Sequence, residues 1–520
     1  MITHEKLENL GPQGAGSSIP MVNAVSADSV SPDKRHRNTT TIDILSDNIL
    51  LEMFDHCRKR DDQYYRFPYC VWEWHLLVHV CRRWRQIIFA SPRRLDLQLL
   101  CTYATPIRKI MGIWPAIPII LIYWSHIEPS DGDNVTAALK HPNRVSRINL
   151  VLDESQLTKI AVLMQRPFPV LTHLSISSHF GKGSALPDGF LGGSAPSLQQ
   201  IDLHDILYPA LPRLLFSASN LVDLRLRNIP PTGYISPEAM VSHVATSPKL
   251  ETLYIEFSTL SSFPDLFTSL PITQTVLPAL HNFSFSGACK YWGDFISRID
   301  TPQLISISVY YLDGGDVDIN FDVLHLPKFV DRSESLKRSL SRHCKIMVDQ
   351  DEDVVTFCVG RTTSERWDPK PGISVCLAIG AEEEITHLTK ILGFVSPILS
   401  DIVHCTIDSV LPVVMYAPDF GFEEQEDRDL FDWPQLLRQL LSLQTLFVAY
   451  NSTDLISRAP VYLNEEMITE VLPALKLLCL EEEIPTPSVH KFLAVRRDSG
   501  HPVTFVKTKG EFEEKLKSYQ

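Results

Sequence analysis

Apolar residues recur along most of the chain in one fixed pattern, which we name the repeat template. It consists of an apolar position, two residues, a second apolar position, one residue, and a third apolar position. Seven copies start at intervals of 26, 27, 23, 29, 30 and 24 residues: Val145/Ile148/Leu150, Leu171/Leu174/Ile176, Leu198/Ile201/Leu203, Leu221/Leu224/Leu226, Leu250/Leu253/Ile255, Leu280/Phe283/Phe285 and Leu304/Ile307/Val309. Three later copies are Ile402/Cys405/Ile407, Leu443/Leu446/Val448 and Leu475/Leu478/Leu480. The alternation within each copy predicts a short strand.

Proline stands two residues before the first apolar position in six of these copies, at Pro169, Pro196, Pro248, Pro278, Pro302 and Pro473. Proline cannot donate a ladder hydrogen bond, so it suits the leading edge of a strand. A period in the twenties is typical of leucine-rich repeats, in which each unit forms a strand and returns by a helix or loop. The sequence therefore predicts an α/β fold built as a repeat solenoid, with outer helices such as 238–246.

The predicted solenoid is irregular. The asparagine that leucine-rich repeats carry five residues after the second apolar position is replaced, for example by Ile206 and Ile229. The template is absent between residues 323 and 399, where 354–360 and 373–380 are predicted strands and 385–394 a helix. The interval of 98 residues between Leu304 and Ile402 is long enough for about four repeats, so the solenoid can continue through it. The acidic segment 419–432 is predicted to be a surface loop. A helix (488–497), a strand (503–506) and a helix (510–519) are predicted to cap the stack.

Helical periodicity appears before the repeats. Apolar positions from Trp74 to Ile88 predict one amphipathic helix, which Ser91-Pro92 ends. A second pattern runs from Ile42 to Phe54. We expect three regions: a disordered tail over 1–40, a small helical domain over 41–94, and the solenoid with its cap over 95–520. Alternation at residues 95–99 and 117–123 predicts the first strands.

Composition narrows the class of protein. The net charge of −14 argues against a nucleic-acid binder, which needs clustered Lys and Arg. The ten cysteines include no C-x-x-C pair, which favours reduced thiols. The longest apolar run, 111–123, is too short for a membrane span, and the first residues lack a signal-peptide pattern. The expected location is therefore cytoplasmic, nuclear or both, with no membrane or nucleic-acid partner.

No catalytic or metal-binding motif is complete. His75 and His79 share a helical spacing, but Leu76 stands where a zinc-hydrolase motif has glutamate. The Asp349/Asp351/Asp353 series lacks the glycine and the terminal glutamate of a calcium loop, and 181–184 lacks the spacing of a phosphate loop. We therefore expect no enzymatic activity, no metal and no cofactor.

The N-terminal helical patterns resemble an F-box. The family opens with a pattern like L-P-x-E-I-L-x-x-I-F and later has V-C-[KR]-x-W. The matching residues are Leu45, Ile49, Leu50, Met53 and Phe54, followed by Val80, Cys81, Arg82 and Trp84. Ser46 replaces the proline and Asn48 replaces the glutamate. From about residue 40 to 520 the chain is similar to the expanded F-box proteins of mushroom-forming fungi, which place irregular leucine-rich repeats after the F-box.

This resemblance implies a substrate adaptor of an SCF-type cullin–RING ubiquitin ligase. The F-box would dock on the Skp adaptor and through it on a cullin, while the repeats would select an unknown target protein. The residues implied in Skp binding are Leu45, Ile49, Leu50, Phe54, Val80 and Trp84. Each of them is also a candidate for the core of the small helical domain. The alternative is a non-catalytic repeat scaffold that has lost adaptor binding, which the replacements at Ser46 and Asn48 favour.

Overall fold

The structure is a computed structural model. It describes residues 42–58, 73–102, 105, 107–124, 133–178, 184–207, 211–258, 274–311, 325–340, 342–349, 354–360, 372–378, 401–410, 437–449, 471–481 and 487–519. The predicted tail over 1–40, the helix over 385–394 and the loop over 419–432 lie outside these ranges. Two compact units are present, one ending at Met53 and the other starting at Phe54. The predicted boundary between residues 94 and 95 is a different division and stays a prediction. No helix in the described ranges is long and apolar enough to cross a bilayer.

The first described elements are a short 3-10 helix, Ile42–Ile44, and the helix Asp47–Arg58 (α1). Ser46 precedes α1, and its carbonyl accepts the backbone N–H of Leu50 at 3.0 Å. The Ser46 hydroxyl lies 3.5 Å from the backbone nitrogen of Ile49. Ser46 therefore occupies the N-cap position, where a hydroxyl satisfies one of the unpaired N–H groups of the first turn.

The prediction of a single helix from Trp74 to Ile88 is wrong. The chain forms two helices there, Glu73–Val80 (α2) and Arg82–Ala90 (α3). Cys81 separates them in an extended conformation, with φ −155° and ψ 171°. Its Sγ accepts the backbone N–H of Trp84 at 3.4 Å and so caps α3. The Arg85 Nε donates to the Val78 carbonyl across the break at 2.9 Å. Apolar periodicity continues through the break, so the pattern alone does not reveal a capping cysteine.

Sixteen strands of the described chain form one mixed sheet, in the order β1-β2-β3-β4-β6-β8-β9-β11-β13-β16-β15-β14-β17-β18-β19-β20. These strands are Leu99–Cys101 (β1), Ile119–Trp124 (β2), Val145–Leu152 (β3), His173–Ser178 (β4), Gln200–His204 (β6), Asp223–Ile229 (β8), Thr252–Phe257 (β9), Asn282–Gly287 (β11), Ser306–Tyr311 (β13), His343–Asp349 (β14), Val354–Gly360 (β15), Gly372–Ala378 (β16), His404–Val410 (β17), Thr445–Val448 (β18), Leu477–Leu480 (β19) and Thr504–Val506 (β20). Two small parallel pairs lie beside it: Ser184–Ala185 (β5) with Ile206–Leu207 (β7), and Thr275–Val276 (β10) with Ile299–Asp300 (β12). The predicted α/β class is confirmed, since the chain combines helices with one large and mostly parallel sheet.

All thirty residues of the ten template copies are buried. The second template positions pair in register across consecutive strands: Ile148, Leu174, Ile201, Leu224, Leu253, Phe283 and Ile307. The third positions form a second such row, from Leu150 to Val309. Because successive side chains of a strand point to opposite faces, one face of the sheet is continuously apolar. We name the opposite face, which carries the residues between the template positions, the polar face.

The prediction that the prolines stand at the leading edges of the strands is wrong. The strands begin four residues later, for example at His173 after Pro169 and at Thr252 after Pro248. Each proline is the second residue of a β-turn, which a backbone hydrogen bond closes, as from Leu250 N–H to the Ser247 carbonyl at 3.1 Å. This is the position that the fixed φ of proline favours.

The gap in the template contains a three-stranded addition to the sheet. β14, β15 and β16 correspond to this gap, and β15 runs antiparallel to both of its neighbours. β16 then pairs in parallel with β13, and β14 in parallel with β17. The sheet therefore continues through the gap, but with an up-and-down hairpin order rather than four parallel repeats. The predicted strands over 354–360 and 373–380 are confirmed by β15 and β16.

The connections between strands vary, as the missing asparagines predicted. Further helices in the described ranges are Ile107–Ile110 (α4), Asp133–Leu139 (α5), Glu154–Leu163 (α6), Leu211–Ser217 (α7), Pro237–Val244 (α8), Cys289–Ser297 (α9), His325–Arg332 (α10), Glu334–Ser339 (α11), Pro487–Asp498 (α12) and Lys509–Tyr519 (α13). Short 3-10 helices occur at Phe190–Gly193 and Pro231–Gly233. On the apolar face, Trp292 and Phe295 of α9 pack against Phe283 with ring centroids 5.1 and 5.3 Å apart.

The last described elements are α12, β20 and α13, at the positions predicted for the terminal cap. Four polar-face positions of β18 to β20 are apolar and form one buried cluster with Phe512 of α13: Phe447, Leu477, Cys479 and Val506. The rings of Phe447 and Phe512 lie 5.4 Å apart. The buried Arg496 of α12 donates to the Pro473 carbonyl at 3.0 Å. The final helix therefore covers one end of the polar face.

Candidate functional site

The N-terminal helices expose apolar side chains in pairs. In the first unit, Ile49 and Met53 lie one helical turn apart on α1 and are 49% and 41% exposed. In the second unit, Leu76 and Val80 have the same spacing on α2 and are 64% and 59% exposed. Side chains four residues apart lie on the same face of a helix. Each of these helices therefore presents an apolar stripe to solvent.

The predicted adaptor-binding residues divide by exposure. Ile49 and Val80 are exposed, and Leu45 and Trp84 are half-buried. Leu50 and Phe54 are buried. The rings of Phe54 and Trp84 pack together within the second unit. Buried residues support the helices, whereas exposed residues are available to a partner, so Ile49 and Val80 are the two of the six most directly placed for contact.

The polar face of the sheet is the second candidate surface. Its central row contains Asn149, Ser175, Asp202, Arg225, Tyr254, Ser284, Ser308 and Ser374, paired across neighbouring strands. Small hydroxyl and amide side chains dominate on both sides of the centre. Charged side chains concentrate on β6, β8 and β9, in a group that was not predicted from the sequence.

We name this group the arginine cluster; its members are Asp202, Asp223, Arg225, Arg227 and Tyr254. The Arg225 Nε donates to both carboxylate oxygens of Asp223, at 2.9 and 3.1 Å, and its Nη2 lies 2.9 Å from Oδ2. The Arg227 Nε lies 3.3 Å from Oδ1 of Asp202. The Arg227 guanidinium also lies over the Tyr254 ring, 5.3 Å from its centroid, in a cation–π contact.

Two residues with positive φ lie at the C-terminal ends of the strands that carry this cluster. Asp205, after β6, and Asn228, near the end of β8, have φ of +58° and +52°. Asp and Asn tolerate this left-handed conformation better than other side chains. The Asn228 amide donates to the Asp205 carboxylate, which links the two strand ends. This polar pair stands one residue before Ile206 and Ile229, the positions at which the usual asparagine is replaced.

The electrostatics of the cluster follow from partial burial. Burial raises the pKa of Asp202, against the opposing effect of the Arg227 charge. Burial also raises the pKa of the Tyr254 hydroxyl, and the neighbouring Glu256 carboxylate adds to this effect. The Tyr254 hydroxyl donates to Glu256 at 3.0 Å, which fixes the ring under Arg227. Beside the cluster, burial and the Arg147 charge lower the pKa of His173 to about 4.

Further along the polar face, the imidazoles of His343 and His404 stack with centroids 4.5 Å apart. The His404 Nδ1 lies 2.7 Å from the Thr445 hydroxyl. Burial lowers the pKa of both histidines. Across the described ranges, no group of three His, Cys, Asp or Glu side chains is close enough to hold a metal ion. The side chain of His75, considered above as a zinc ligand, lies outside what the structure describes.

A sequence signal for the arginine cluster exists only after the strands are aligned. Asp202 follows Ile201, and Arg225 follows Leu224, so both are the residue between the second and third template positions. When this position is compared across the seven regular repeats, charged residues occur only in these two neighbouring copies. The pairing of Arg227 with Asp202 needs the strand register, which the sequence does not supply.

No protein-family model matches this chain, and a search of curated proteins found none similar to it in sequence.

Proposed function

We propose that the protein is the substrate-recognition adaptor of an SCF-type cullin–RING ubiquitin ligase. Its N-terminal helices would dock on the Skp adaptor, which links it to a cullin, and the strand repeats would bind the target protein. We also propose that the N-terminal helices form an F-box and that the sheet is part of an irregular leucine-rich-repeat solenoid. In this assignment the protein performs no catalysis itself.

The observation that carries the proposal is the exposed apolar stripe on each of two short N-terminal helices. Ile49 and Met53 on α1, and Leu76 and Val80 on α2, are large apolar side chains in contact with solvent. Exposed apolar residues at this spacing are the usual anchors when a helix docks on a partner. The resemblance of these helices to an F-box supports the Skp adaptor as that partner.

The repeats support the other half of the proposal. Seven template copies at near-constant spacing give parallel strands whose apolar rows are buried. Such repeats form a long polar surface that is suited to binding another protein. Hydroxyl–imidazole pairs do occur on this face, between Ser177 and His204 at 3.0 Å and between Thr445 and His404 at 2.7 Å, and we assign them no catalytic role.

The test is co-elution of the full chain with purified Skp adaptor in size-exclusion chromatography. We expect a complex with the native chain and its loss with Ile49→Asp or Val80→Asp, since a carboxylate in an apolar contact is strongly unfavourable. The matched control is Val162→Asp, because Val162 is 62% exposed on α6. This variant should retain the complex.

Absence of a complex with the folded native chain would exclude the adaptor function. The protein would then be a repeat scaffold without adaptor binding, the alternative that the replacements at Ser46 and Asn48 favour. Equal loss of binding in all three variants would show that the contact is not specific to the N-terminal helices.

A further inference from the structure

We infer that the arginine cluster binds an extended acidic segment of the target protein, with carboxylates at alternate positions. This inference rests on the proposed function, because it identifies the surface and the chemistry by which the repeats select a target. On the polar face of β3 to β13, the charged residues are Arg147, Asp202, Asp223, Arg225, Arg227 and Glu256. The surrounding positions are mostly Ser, Thr, Asn and Gln, so recognition of charge is concentrated here.

The depth of the side chains determines the sign of the charge that a partner meets. The side chains of Arg225 and Arg227 are each 36% exposed, whereas those of Asp223 and Asp202 are 18% and 20% exposed. The arginine side chains are therefore more exposed than the carboxylates that pair with them. A partner on this face meets more of the arginine side chains than of the aspartates.

The guanidinium groups retain unused hydrogen-bond donors. A guanidinium has five N–H groups. Asp223 occupies the Nε and Nη2 side of Arg225, and the Nε of Arg227 lies 3.3 Å from Asp202. Within the described chain, the Nη1 of Arg225 and both terminal nitrogens of Arg227 make no hydrogen bond. Exposed donors that are already fixed in position bind a planar carboxylate with little further loss of conformational entropy.

The spacing of the two arginines defines the shape of the ligand. Arg225 and Arg227 are two residues apart on one strand and flank the buried Leu226. A strand rises about 3.3 Å per residue, so their Cα atoms are separated by about 7 Å. Alternate side chains of an extended peptide have the same separation and point the same way. A Glu-x-Glu segment in extended conformation therefore matches both arginines.

The neighbouring carboxylates cancel the usual preference of arginines for phosphate. Arg147, Arg225 and Arg227 are balanced by Asp202, Asp223 and Glu256 on this face of β3 to β13. A phosphate with nearly two negative charges meets stronger attraction to the guanidinium groups and, in the same proportion, stronger repulsion from the carboxylates, so its second charge adds little. A basic segment is disfavoured for a different reason, since it would meet the exposed guanidinium groups.

The experiment measures binding of labelled extended peptides to the full chain by fluorescence anisotropy. The probe is Gly-Thr-Glu-Thr-Glu-Thr-Gly, compared with peptides that carry Gln, Lys or phosphoserine at both Glu positions. A fifth peptide has the same two glutamates side by side. We expect the Glu-x-Glu peptide to bind at least about tenfold tighter than the Gln, Lys and adjacent-Glu peptides and no more weakly than the phosphoserine peptide. Its affinity should fall as salt rises from about 0.05 M to 0.15 M.

The variant Arg225→Gln/Arg227→Gln should lose at least about tenfold in affinity for the Glu-x-Glu peptide. The matched control is Arg166→Gln/Arg213→Gln, which removes the same charge from two exposed arginines outside the polar face. This control should bind as the native chain does. If the double variant fails to fold by circular dichroism, Arg227→Gln alone should still weaken binding.

Unchanged binding in the folded variant, equal loss in the control, or preference for the Gln, Lys, phosphoserine or adjacent-Glu peptide would overturn the inference. The assay contains no Skp adaptor. A chain that binds the peptide but not the adaptor would therefore contradict the adaptor function alone, and the reverse result would contradict only the assignment of the arginine cluster.

Discussion

The rings of Phe54 and Trp84 pack against each other with centroids 4.9 Å apart and planes tilted by 60°. The Cys81 cap receives the backbone N–H of Trp84, so both the ring and the backbone of this residue are fixed. A tryptophan used in this way stabilises the start of α3. It is then less available as a direct contact for a partner than the exposed Val80.

We therefore predict that Trp84→Ala lowers local stability by about 2 kcal/mol, from lost burial and the lost ring pair. Val80→Ala should change it by less than about 0.5 kcal/mol, because Val80 is exposed. Amide hydrogen exchange within α3 measures the difference. Equal protection of α3 in both variants would show that the ring pair contributes little.

The apolar rows of the sheet yield a second prediction. Leu224 and Leu253 are fully buried and pair across β8 and β9. Truncation to alanine leaves a cavity, so Leu224→Ala should lower the free energy of unfolding by about 2–5 kcal/mol. The control is Ser175→Ala on the polar face, which should change it by no more than about 0.5 kcal/mol. Urea titration followed by circular dichroism gives both values.

The turns before the strands predict a stabilising substitution. In the repeat that begins at Leu221, Ser219 holds the turn position that proline holds in six others. The same hydrogen bond closes this turn, from Leu221 N–H to the Ala218 carbonyl at 3.0 Å. Ser219→Pro should raise the free energy of unfolding by about 0.5–1 kcal/mol, by restricting the unfolded chain. A loss of stability instead would mean that this turn has a different backbone conformation.

His173 predicts how stability depends on pH. Its pKa is lowered to about 4 by burial and by Arg147, against a contribution from Asp223 that raises it. The unfolded chain takes up a proton near pH 6.5, whereas the folded chain resists it until about pH 4. Stability should therefore fall as the pH decreases between these values, by on the order of 2 kcal/mol for this residue. Below about pH 4 its contribution should stay constant.

The variant His173→Gln should remove part of this acid sensitivity, as measured by the urea midpoint at pH values from about 7 to 4. The control is His141→Gln, since His141 is exposed. The same pH dependence in native chain and His173→Gln would assign the acid sensitivity to other groups, such as the stacked His343 and His404.

The apolar rows could be predicted from sequence because their cause is local and repeated. Leu174 and Ile176 alternate within one strand, and the same pattern returns with each unit. The positions of the prolines could be predicted from the sequence, but their role in β-turns could not. The spacing from Pro248 to Leu250 does not indicate at which residue the strand begins. The break at Cys81 is invisible to periodicity, because the apolar positions continue through it in phase.

The arginine cluster could not be predicted because it depends on register between strands. Asp202 and Arg227 are 25 residues apart in sequence, and they meet only after β6 and β8 align. The order of β14, β15 and β16 has the same origin. Each of these strands is visible in the sequence as an apolar run, but nothing in its composition states which neighbour it will pair with.

The reversed strand β15 has a consequence for the orientation of everything after it. If only one pair of neighbouring strands were antiparallel, all later strands would be inverted and their C-terminal ends would lie at the opposite edge of the sheet. β15 makes two antiparallel pairings, one on each side, and the two inversions cancel. β17 to β20 therefore regain the direction of β1 to β13. Later strands keep the direction of β1 to β13 only if the number of antiparallel pairings before them is even. A single antiparallel pairing would place the C-terminal ends of the later strands at the edge opposite to that of Asp205 and Asn228.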